Sequence, residues 1–247
     1  MGRTGHIERR ELMIKDSQMT ENTTTTTAKP VTVISRTAAR LSFAAATVSL
    51  VLLAALHVIK PELDPSWRMV SEYAIGDHGW VMRLAFFSLA FSCASLFVAI
   101  RSQTRTVGGR IGLAVLLATA AAMTAAAIFA IDPITASKDE LTTHGNLHAL
   151  ASMVGVPGLP VAAVLISRGL ARNQAWSSAR RSLIWTTNLT WISLLLMVSI
   201  LAVMLPQAGG RFSPDVLIGW PNRLMLLAYG AWLMIVSWRV VRLGRRG

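Results

Sequence analysis

The sequence has few charged residues. Asp, Glu, Lys and Arg make up only 15% of its 247 residues, whereas 53% are hydrophobic and the mean hydropathy is +0.51. Soluble globular domains contain about 25% charged residues on average. The composition therefore excludes an ordinary soluble domain and indicates a protein of the membrane.

Cysteine is almost absent, and the one residue, Cys93, lies in the middle of an apolar segment. A single cysteine excludes a disulfide framework, and we interpret this residue as a small core side chain. The net charge of +12 would suggest nucleic-acid binding in a soluble protein. Here the basic residues cluster at the ends of apolar segments, so the charge predicts membrane topology and no nucleic-acid partner.

Six apolar segments are long enough to cross a bilayer, which takes about 20 residues per helix. We therefore predict an all-α, polytopic bundle of six transmembrane helices in one domain, residues 36–243. Residues 1–35 are polar and are predicted to be a disordered cytoplasmic tail, and residues 244–247 a basic cytoplasmic tail. The predicted spans are about 38–59, 80–100, 111–131, 145–167, 183–205 and 220–241.

Charge is distributed unequally between the two ends of these spans. The end next to the N-terminal tail has thirteen arginines and no acid from residue 36 onward, whereas the opposite end has six basic and eight acidic residues. The positive-inside rule predicts that both termini are cytoplasmic. The eight acids of the opposite, predicted outer end are Glu62, Asp64, Glu72, Asp77, Asp132, Asp139, Glu140 and Asp215.

Three local patterns predict details of the fold. Asp64-Pro65 in the first outer loop predicts the start of a short interfacial helix that ends near Gly76. The third span is rich in alanine, which predicts close packing and a central position. The fourth contains Gly155, Pro157, Gly158 and Pro160, so its middle is expected to bend or open and to free backbone carbonyls.

Histidines outside the tail all fall at the predicted outer end, at positions 57, 78, 144 and 148. His144 and His148 are four residues apart, so on a helix they share a face and could bind a divalent metal such as zinc, with Asp132 or Glu72 as a third ligand. Two other interpretations stay open. The histidines could cap loop groups by hydrogen bonding, or could serve headgroup or proton chemistry without a metal.

Two arginines at the predicted outer end are candidate partners for Asp132, which follows a helix end where the dipole disfavours a carboxylate. Arg83 is explained by snorkelling to the interface. Arg223, at the start of the sixth span, could instead bind the phosphate or carboxylate of a ligand.

These positions also carry a family resemblance. His57, Ser71-Glu72, Gly79-Trp80, Asp132-Pro133, His144-Gly-x-x-His148 and Asn222-Arg223 resemble the pattern of a bacterial and archaeal membrane family, domain of unknown function 998 (DUF998). Members often have Ser-Glu-Leu-Gly where this chain has Ser71-Glu72-Tyr73-Ala74. The resemblance spans about residues 38–243. It implies a six-helix protein of a prokaryotic cytoplasmic membrane with a shared polar cluster, and it implies no established reaction.

Together these features predict a protein that binds a membrane lipid or other amphiphile in an outward-facing polar pocket. Predicted ligand-binding residues are Arg223, His57, Asn222, Ser71 and His78. The alternative is a hydrolase or transferase acting on a lipid, either metal-assisted or by acid/base catalysis, with His144, His148, Asp132 and Glu72 as catalytic residues. A small transporter is disfavoured, because no charge lies at mid-membrane and no inverted repeat is evident.

Overall fold

The computed structural model describes residues 32–244, which form six long α-helices, three short 3-10 helices and no β-strand. All six α-helices are long and apolar enough to cross a membrane, which confirms the predicted six-span, all-α architecture. Of the predicted tails, 1–35 and 244–247, residues 1–31 and 245–247 lie outside the described residues, whereas residues 33–35 form the first turn of a helix. The helices are α1 (Val33–Ile59), α2 (Gly79–Ile100), α3 (Val107–Ile128), α4 (Thr143–Ala171), α5 (Arg180–Gln207) and α6 (Gly219–Leu243).

The helices mostly extend beyond the predicted apolar spans, because the polar and arginine-bearing turns at their ends are also helical. Threonine side chains cap three N-termini: Thr32 accepts a hydrogen bond from Ser35 N, Thr106 from Gly109 N, and Thr142 from Gly145 N. A capping hydroxyl satisfies one of the free N–H groups of a first helical turn. The exception is α3, which ends at Ile128, three residues before the predicted 131.

Each helix packs on the next helix along the chain, and α6 closes the ring by packing on α1. α2 and α6 also touch each other across the bundle. Three buried hydroxyls join α1, α2 and α6: Ser42 Oγ lies 3.1 Å from Ser92 Oγ and 2.9 Å from Ser237 Oγ. Such hydroxyl contacts and small side chains replace the hydrophobic effect as the cause of helix association in lipid.

Small residues bring α3 and α4 into the most extensive helix contact of the bundle. A Cβ atom on Gly155 would lie 2.3 Å from Met123 Cε, and one on Gly158 would lie 2.5 Å from Thr119 Oγ1. The predicted close packing of α3 is therefore present. Its predicted central position is wrong, because α3 packs mainly on α2 and α4 whereas α2 and α6 also contact each other.

α4 remains a continuous helix through Pro157 and Pro160, so its middle does not open. Pro160 lacks the N–H that would bond the carbonyl of Val156 in a regular helix. Tyr229 of α6 replaces that donor, because its hydroxyl donates to Val156 O at 2.6 Å. A neighbouring helix thus satisfies a carbonyl that the sequence predicted to be free.

The loop between α1 and α2 begins differently from the prediction. Asp64 Oδ1 accepts a hydrogen bond from Ser66 N at 2.8 Å, which closes a local turn and lowers the pKa of this exposed carboxyl below its ordinary value. Helical structure begins only at a 3-10 helix, Val70–Ala74. The backbone of Gly79 packs directly against that of Ala74, and a Cβ on Gly79 would clash with Ala74 O.

Candidate functional site

Arg223 is the centre of a buried polar network at the end of the bundle that carries the acids, here called the acidic end. Its side chain donates from Nε to His57 Nε2 at 2.7 Å and from Nη2 to Tyr73 Oη at 3.0 Å. Nη1 donates to Arg68 O at 2.8 Å and to Gly219 O at 3.0 Å. Four of the five guanidinium N–H groups therefore have protein acceptors, and Arg223 is only 4% exposed.

The contacts of His57 define its protonation. His57 Nδ1 lies 2.8 Å from Leu53 O, and a carbonyl oxygen can only accept, so Nδ1 carries the hydrogen. Nε2 accepts the hydrogen bond from Arg223 and therefore carries the lone pair. His57 is the neutral Nδ1–H tautomer, and both of its ring nitrogens are used by the protein.

Glu72 extends the network to the segment after α3. Its Oε1 accepts from Arg68 Nη1 at 2.8 Å and from Ile134 N at 3.2 Å, and its Oε2 accepts from Met69 N at 3.0 Å. The side chain is 1% exposed and forms an ion pair with Arg68. We call His57, Arg68, Glu72, Tyr73 and Arg223 the Arg223 network.

Asp132 has a partner other than the predicted arginine. Its Oδ2 accepts from Thr142 N at 2.8 Å, and its Oδ1 accepts from Thr142 Oγ1 at 2.9 Å. Thr142 is the N-cap of α4, where the positive end of the helix dipole stabilises a carboxylate. A Cβ on Gly145 would clash with Asp132 Oδ2, so a larger residue there would displace the Asp132 carboxylate from Thr142.

His144 and His148 lie on the first turns of α4 but have different environments. His148 is 1% exposed, and its Nδ1 lies 3.1 Å from Ala126 O and 2.8 Å from Phe129 O at the end of α3. Nδ1 must therefore be the donor, and it caps α3 where that helix stops early. His144 is exposed and its ring packs edge-on against Phe129, with centroids 5.5 Å apart.

The structure does not gather the predicted metal ligands. Within residues 32–244, no group of three or more His, Cys, Asp or Glu side chains could hold a metal ion. Asp132 instead bonds Thr142, and Nδ1 of His148 bonds backbone carbonyls. The divalent metal site formed by His144, His148 and Asp132 stays a prediction.

Two cavities flank the 3-10 helix Val70–Ala74. The first, which we call the polar pocket, measures about 460 Å³ and contains two predicted site residues, Glu72 and His78. His78 is exposed and adopts a left-handed conformation with φ of 60°. The polar pocket is lined by Ile59, Lys60, Glu62, Leu63, Arg68, Glu72, Ile75, Gly76, Asp77, His78 and Pro133.

The second cavity, which we call the chamber, measures about 490 Å³ and is largely apolar. It contains three predicted site residues, Ser71, His148 and Asn222, whereas Arg223, His57, Asp132 and His144 line neither cavity. Its other lining residues are Met69, Val70, Phe86, Met123, Ala126, Ile131, Ala149, Ser152, Met153, Val156, Pro157, Leu194, Met197, Val198, Met225, Leu226 and Tyr229.

The chamber is open towards the outside of the bundle between α4 and α5. Met153 of α4 and Val198 of α5 both line it, and they are 74% and 49% exposed. Closer to the other end of the bundle the same two helices are joined by a hydrogen bond from Thr187 Oγ1 to Ser167 Oγ at 2.9 Å. The opening therefore faces the side of the bundle, where the hydrocarbon layer of a membrane would lie.

Among the polar groups that line the chamber, the side chains of Asn222 and His148 keep spare hydrogen-bonding capacity. Asn222 Oδ1 accepts from Val70 N at 2.9 Å, but its Nδ2 makes only a long contact of 3.7 Å to Met197 Sδ. His148 Nδ1 is bonded as described above, whereas its Nε2 has no hydrogen-bond partner among residues 32–244. A ligand in the chamber would meet an amide donor and an imidazole nitrogen.

The family model described as "Protein of unknown function (DUF998)" matches residues 43–239. The chain belongs to the DUF998 family. The six apolar helices agree with this membership and with the resemblance in the sequence. No curated protein and no solved structure gives a significant match to this DUF998 chain.

Sequence reasoning missed three residues of the DUF998 site. Arg68 stands four residues before Glu72, a spacing that can signal an ion pair, and Tyr73 is one of only two tyrosines in the chain. Lys60 is 6% exposed, donates to Ile75 O and lies 3.9 Å from Glu62 Oε1. No sequence signal distinguished Lys60 from an ordinary interfacial lysine.

Proposed function

We propose that this DUF998 protein binds a single-chain amphiphile in the chamber. The observation that supports this function best is an apolar cavity that opens sideways between α4 and α5 and contains the imidazole of His148, with its Nε2 unbonded. Ligand sites are typically apolar cavities with a few polar groups that orient the ligand.

The size of the chamber favours one alkyl chain over a complete two-chain phospholipid. Its volume of about 490 Å³ lies in the lower part of the range of ligand pockets, roughly 300–1,000 Å³. Methionines at positions 69, 123, 153, 197 and 225 line it. Their flexible thioether side chains adapt to irregular apolar shapes, which suits an alkyl chain.

The polar groups of the chamber favour a ligand whose head both donates and accepts hydrogen bonds. Asn222 Nδ2 can donate, and His148 Nε2 offers the second contact. A hydroxyl group satisfies both. We therefore propose an alcohol or a hydroxylated single-chain lipid as the ligand class, and no charged headgroup is required.

The contacts support this function better than the alternatives. Arg223 has only one N–H left for an anionic group, so the geometry favours a structural role over the predicted ligand-binding role. A hydrolase or transferase needs Glu72, Asp132 and His148 around one reacting atom, whereas each bonds a different partner. No observation favours a transporter.

Native mass spectrometry of the protein released from detergent tests the binding function. We expect a bound species with the mass of a single-chain amphiphile. Ala149→Trp, at an exposed position that lines the chamber, should weaken its binding about tenfold, equivalent to about 1.4 kcal/mol, and so lower its occupancy. Ala54→Trp, at an exposed position of α1 away from the chamber, is the control. Equal occupancy in the two variants would contradict the proposal.

We also propose that the basic end of the bundle faces the cytoplasm and that the membrane is the plasma membrane of a prokaryote, as the arginine distribution predicts. The only cysteine, Cys93, is buried, so introduced cysteines can be labelled selectively. An impermeant maleimide added to intact cells should label Thr135→Cys and leave Ser178→Cys unlabelled. Both positions are exposed. Labelling of Ser178→Cys but not of Thr135→Cys would show that the basic end faces the outside of the cell.

A further inference from the structure

A second cavity with charged walls lies at the other end of the bundle, here called the basic end, between the last turns of α4 and the first turns of α5. It measures about 420 Å³ and has both polar and apolar side chains in its wall. We call it the basic cleft. Its lining residues are Val164, Ser167, Arg168, Ala171, Arg172, Arg180, Ile184, Thr187 and Asn188.

Three arginines at the basic cleft lack a counter-charge. Arg168, Arg172 and Arg180 are exposed, and within residues 32–244 none of them forms an ion pair or a hydrogen bond. Arg168 and Arg172 are one helical turn apart, a spacing at which like charges repel. Arg180, at the start of α5, adds a third positive charge to the same cleft. An anion in the cleft would relieve the repulsion among these charges, and arginine forks match phosphate geometry.

The floor of the basic cleft is fixed by buried hydrogen bonds. Ser167 Oγ accepts from Thr187 Oγ1 at 2.9 Å and from Trp232 Nε1 at 3.0 Å, so α4, α5 and α6 meet there. Ser167 and Thr187 are 5% and 6% exposed. The arginines therefore project from a preformed wall, which lowers the entropic cost of binding.

Asn188 is a further polar group of the basic cleft, farther along α5 from the arginines. Asn188 is exposed on α5, eight residues after Arg180, which corresponds to about 12 Å along the helix. It has no hydrogen-bond partner among residues 32–244. An amide at this depth in a membrane is costly unless it is bonded, so the position favours a ligand that reaches from the surface into the apolar layer.

From these unpaired arginines and the unbonded amide of Asn188, we propose that the basic cleft binds an anionic phospholipid. The arginines at its mouth bind the phosphate, and Asn188 donates to the glycerol-ester region below it. A basic cleft between transmembrane helices suits such a headgroup. This site is independent of the chamber, because the two cavities share no lining residue.

The test is a titration of the delipidated, full-length protein in neutral detergent, followed by native mass spectrometry. The probes are phosphatidylglycerol and phosphatidylcholine with identical acyl chains, and inorganic phosphate as competitor. We expect tighter binding of phosphatidylglycerol. Arg168→Gln, Arg172→Gln and Arg180→Gln should each weaken it about fivefold, towards the value for phosphatidylcholine. Arg101→Gln and Arg110→Gln, exposed at the same end outside the cleft, should change nothing.

Asn188→Leu distinguishes binding of a phospholipid headgroup from binding of free inorganic phosphate. It should weaken both phospholipids and leave competition by inorganic phosphate unchanged. Equal affinity of the unaltered protein for the two phospholipids overturns the proposal, and so do equal losses in the control variants. Strong competition by inorganic phosphate combined with no effect of Asn188→Leu would assign the cleft to free phosphate and overturn the lipid site. All substituted residues are exposed, and size-exclusion profiles check folding.

Discussion

The Arg223 network and the chamber are adjacent at the acidic end, and they differ in how their polar groups are satisfied. In the network, Arg223 and Glu72 use nearly all of their hydrogen-bonding capacity on protein partners. At the chamber, Asn222 Nδ2 makes only a long contact to a sulfur atom, and His148 Nε2 has no protein partner among residues 32–244. The most polar residues at this end of the bundle are therefore bonded within the fold, while the less conspicuous ones line the cavity in which we propose that a ligand binds.

The largest effect is expected from Arg223→Met. The substitution leaves acceptors on His57, Tyr73 and two backbone carbonyls without their donor, in a site sheltered from water. We expect the free energy of unfolding in detergent to fall by about 3 kcal/mol or more, because each buried acceptor left unsatisfied costs about 1–3 kcal/mol. Arg83→Met, at an exposed arginine of the same end, should change it by less than about 0.5 kcal/mol. A stable Arg223→Met protein that loses its amphiphile would instead assign Arg223 to the ligand.

Glu72→Gln tests the other charged member of the network. Gln keeps one acceptor oxygen but presents an NH₂ group to one of the donors, Arg68, Met69 or Ile134. We expect a loss of about 2 kcal/mol in unfolding free energy, because hydrogen bonds to charged groups contribute roughly 1.5–3 kcal/mol. Amphiphile occupancy per folded molecule should not change. Glu62→Gln, whose side chain is 62% exposed, is the matched control.

His148 combines a structural contact and an unbonded nitrogen in one side chain, because its Nδ1 caps α3 whereas its Nε2 has no partner among residues 32–244. In His148→Asn the amide nitrogen can replace the Nδ1 donor to Phe129 O, while the Nε2 group is lost. We expect amphiphile affinity to fall about tenfold, or about 1.4 kcal/mol, with little change in stability. His148→Gln keeps a polar group near the position of Nε2 but loses the Nδ1 donor. It should therefore bind the amphiphile better than His148→Asn does, and it should unfold more easily. Parallel losses of binding and stability in both variants would show that His148 is only a helix cap.

The smallest effect is expected from Asp132→Ala. The side chain holds Thr142 at the N-terminus of α4, and removing such a cap costs about 1 kcal/mol. Thermal unfolding of this variant can be compared with that of Asp139→Ala, an exposed aspartate in the same loop. A loss of bound metal in Asp132→Ala alone would revive the predicted metal site.

The architecture could be predicted from the sequence because long apolar segments and terminal arginines are local signals. The six helices follow from them directly. Even the free carbonyl of Val156 was predictable from Pro160, although the sequence could not tell that Tyr229 would reach it. The central position of α3 could not be predicted, because an alanine-rich helix packs closely wherever its neighbours are.

For the Arg223 network, the sequence singled out several of the residues but could not show which groups they contact. Arg223, His57 and Glu72 do lie together, linked through Arg68 and Tyr73. Asp132 was expected beside a cation. Its carboxylate instead bonds Thr142 at the N-terminus of α4, where the helix dipole takes the place of the predicted arginine. Helix termini act as charges only once helices are positioned, so a pattern of side chains cannot locate them. The chamber, formed by five helices, left no signature in any one segment.

Site mapping with a photoactivatable alkyl alcohol tests the central claim most directly. A diazirine in the middle of the alkyl chain is irradiated with the full-length protein, and the labelled residues are found by mass spectrometry. Met123 and Met225 line the chamber but are only 5% and 1% exposed. If the chamber binds the alkyl chain, both residues are labelled, and the label is lost in Ala149→Trp. Labels only on outward-facing residues such as Val51 and Leu227, which are 61% and 51% exposed, would contradict the claim.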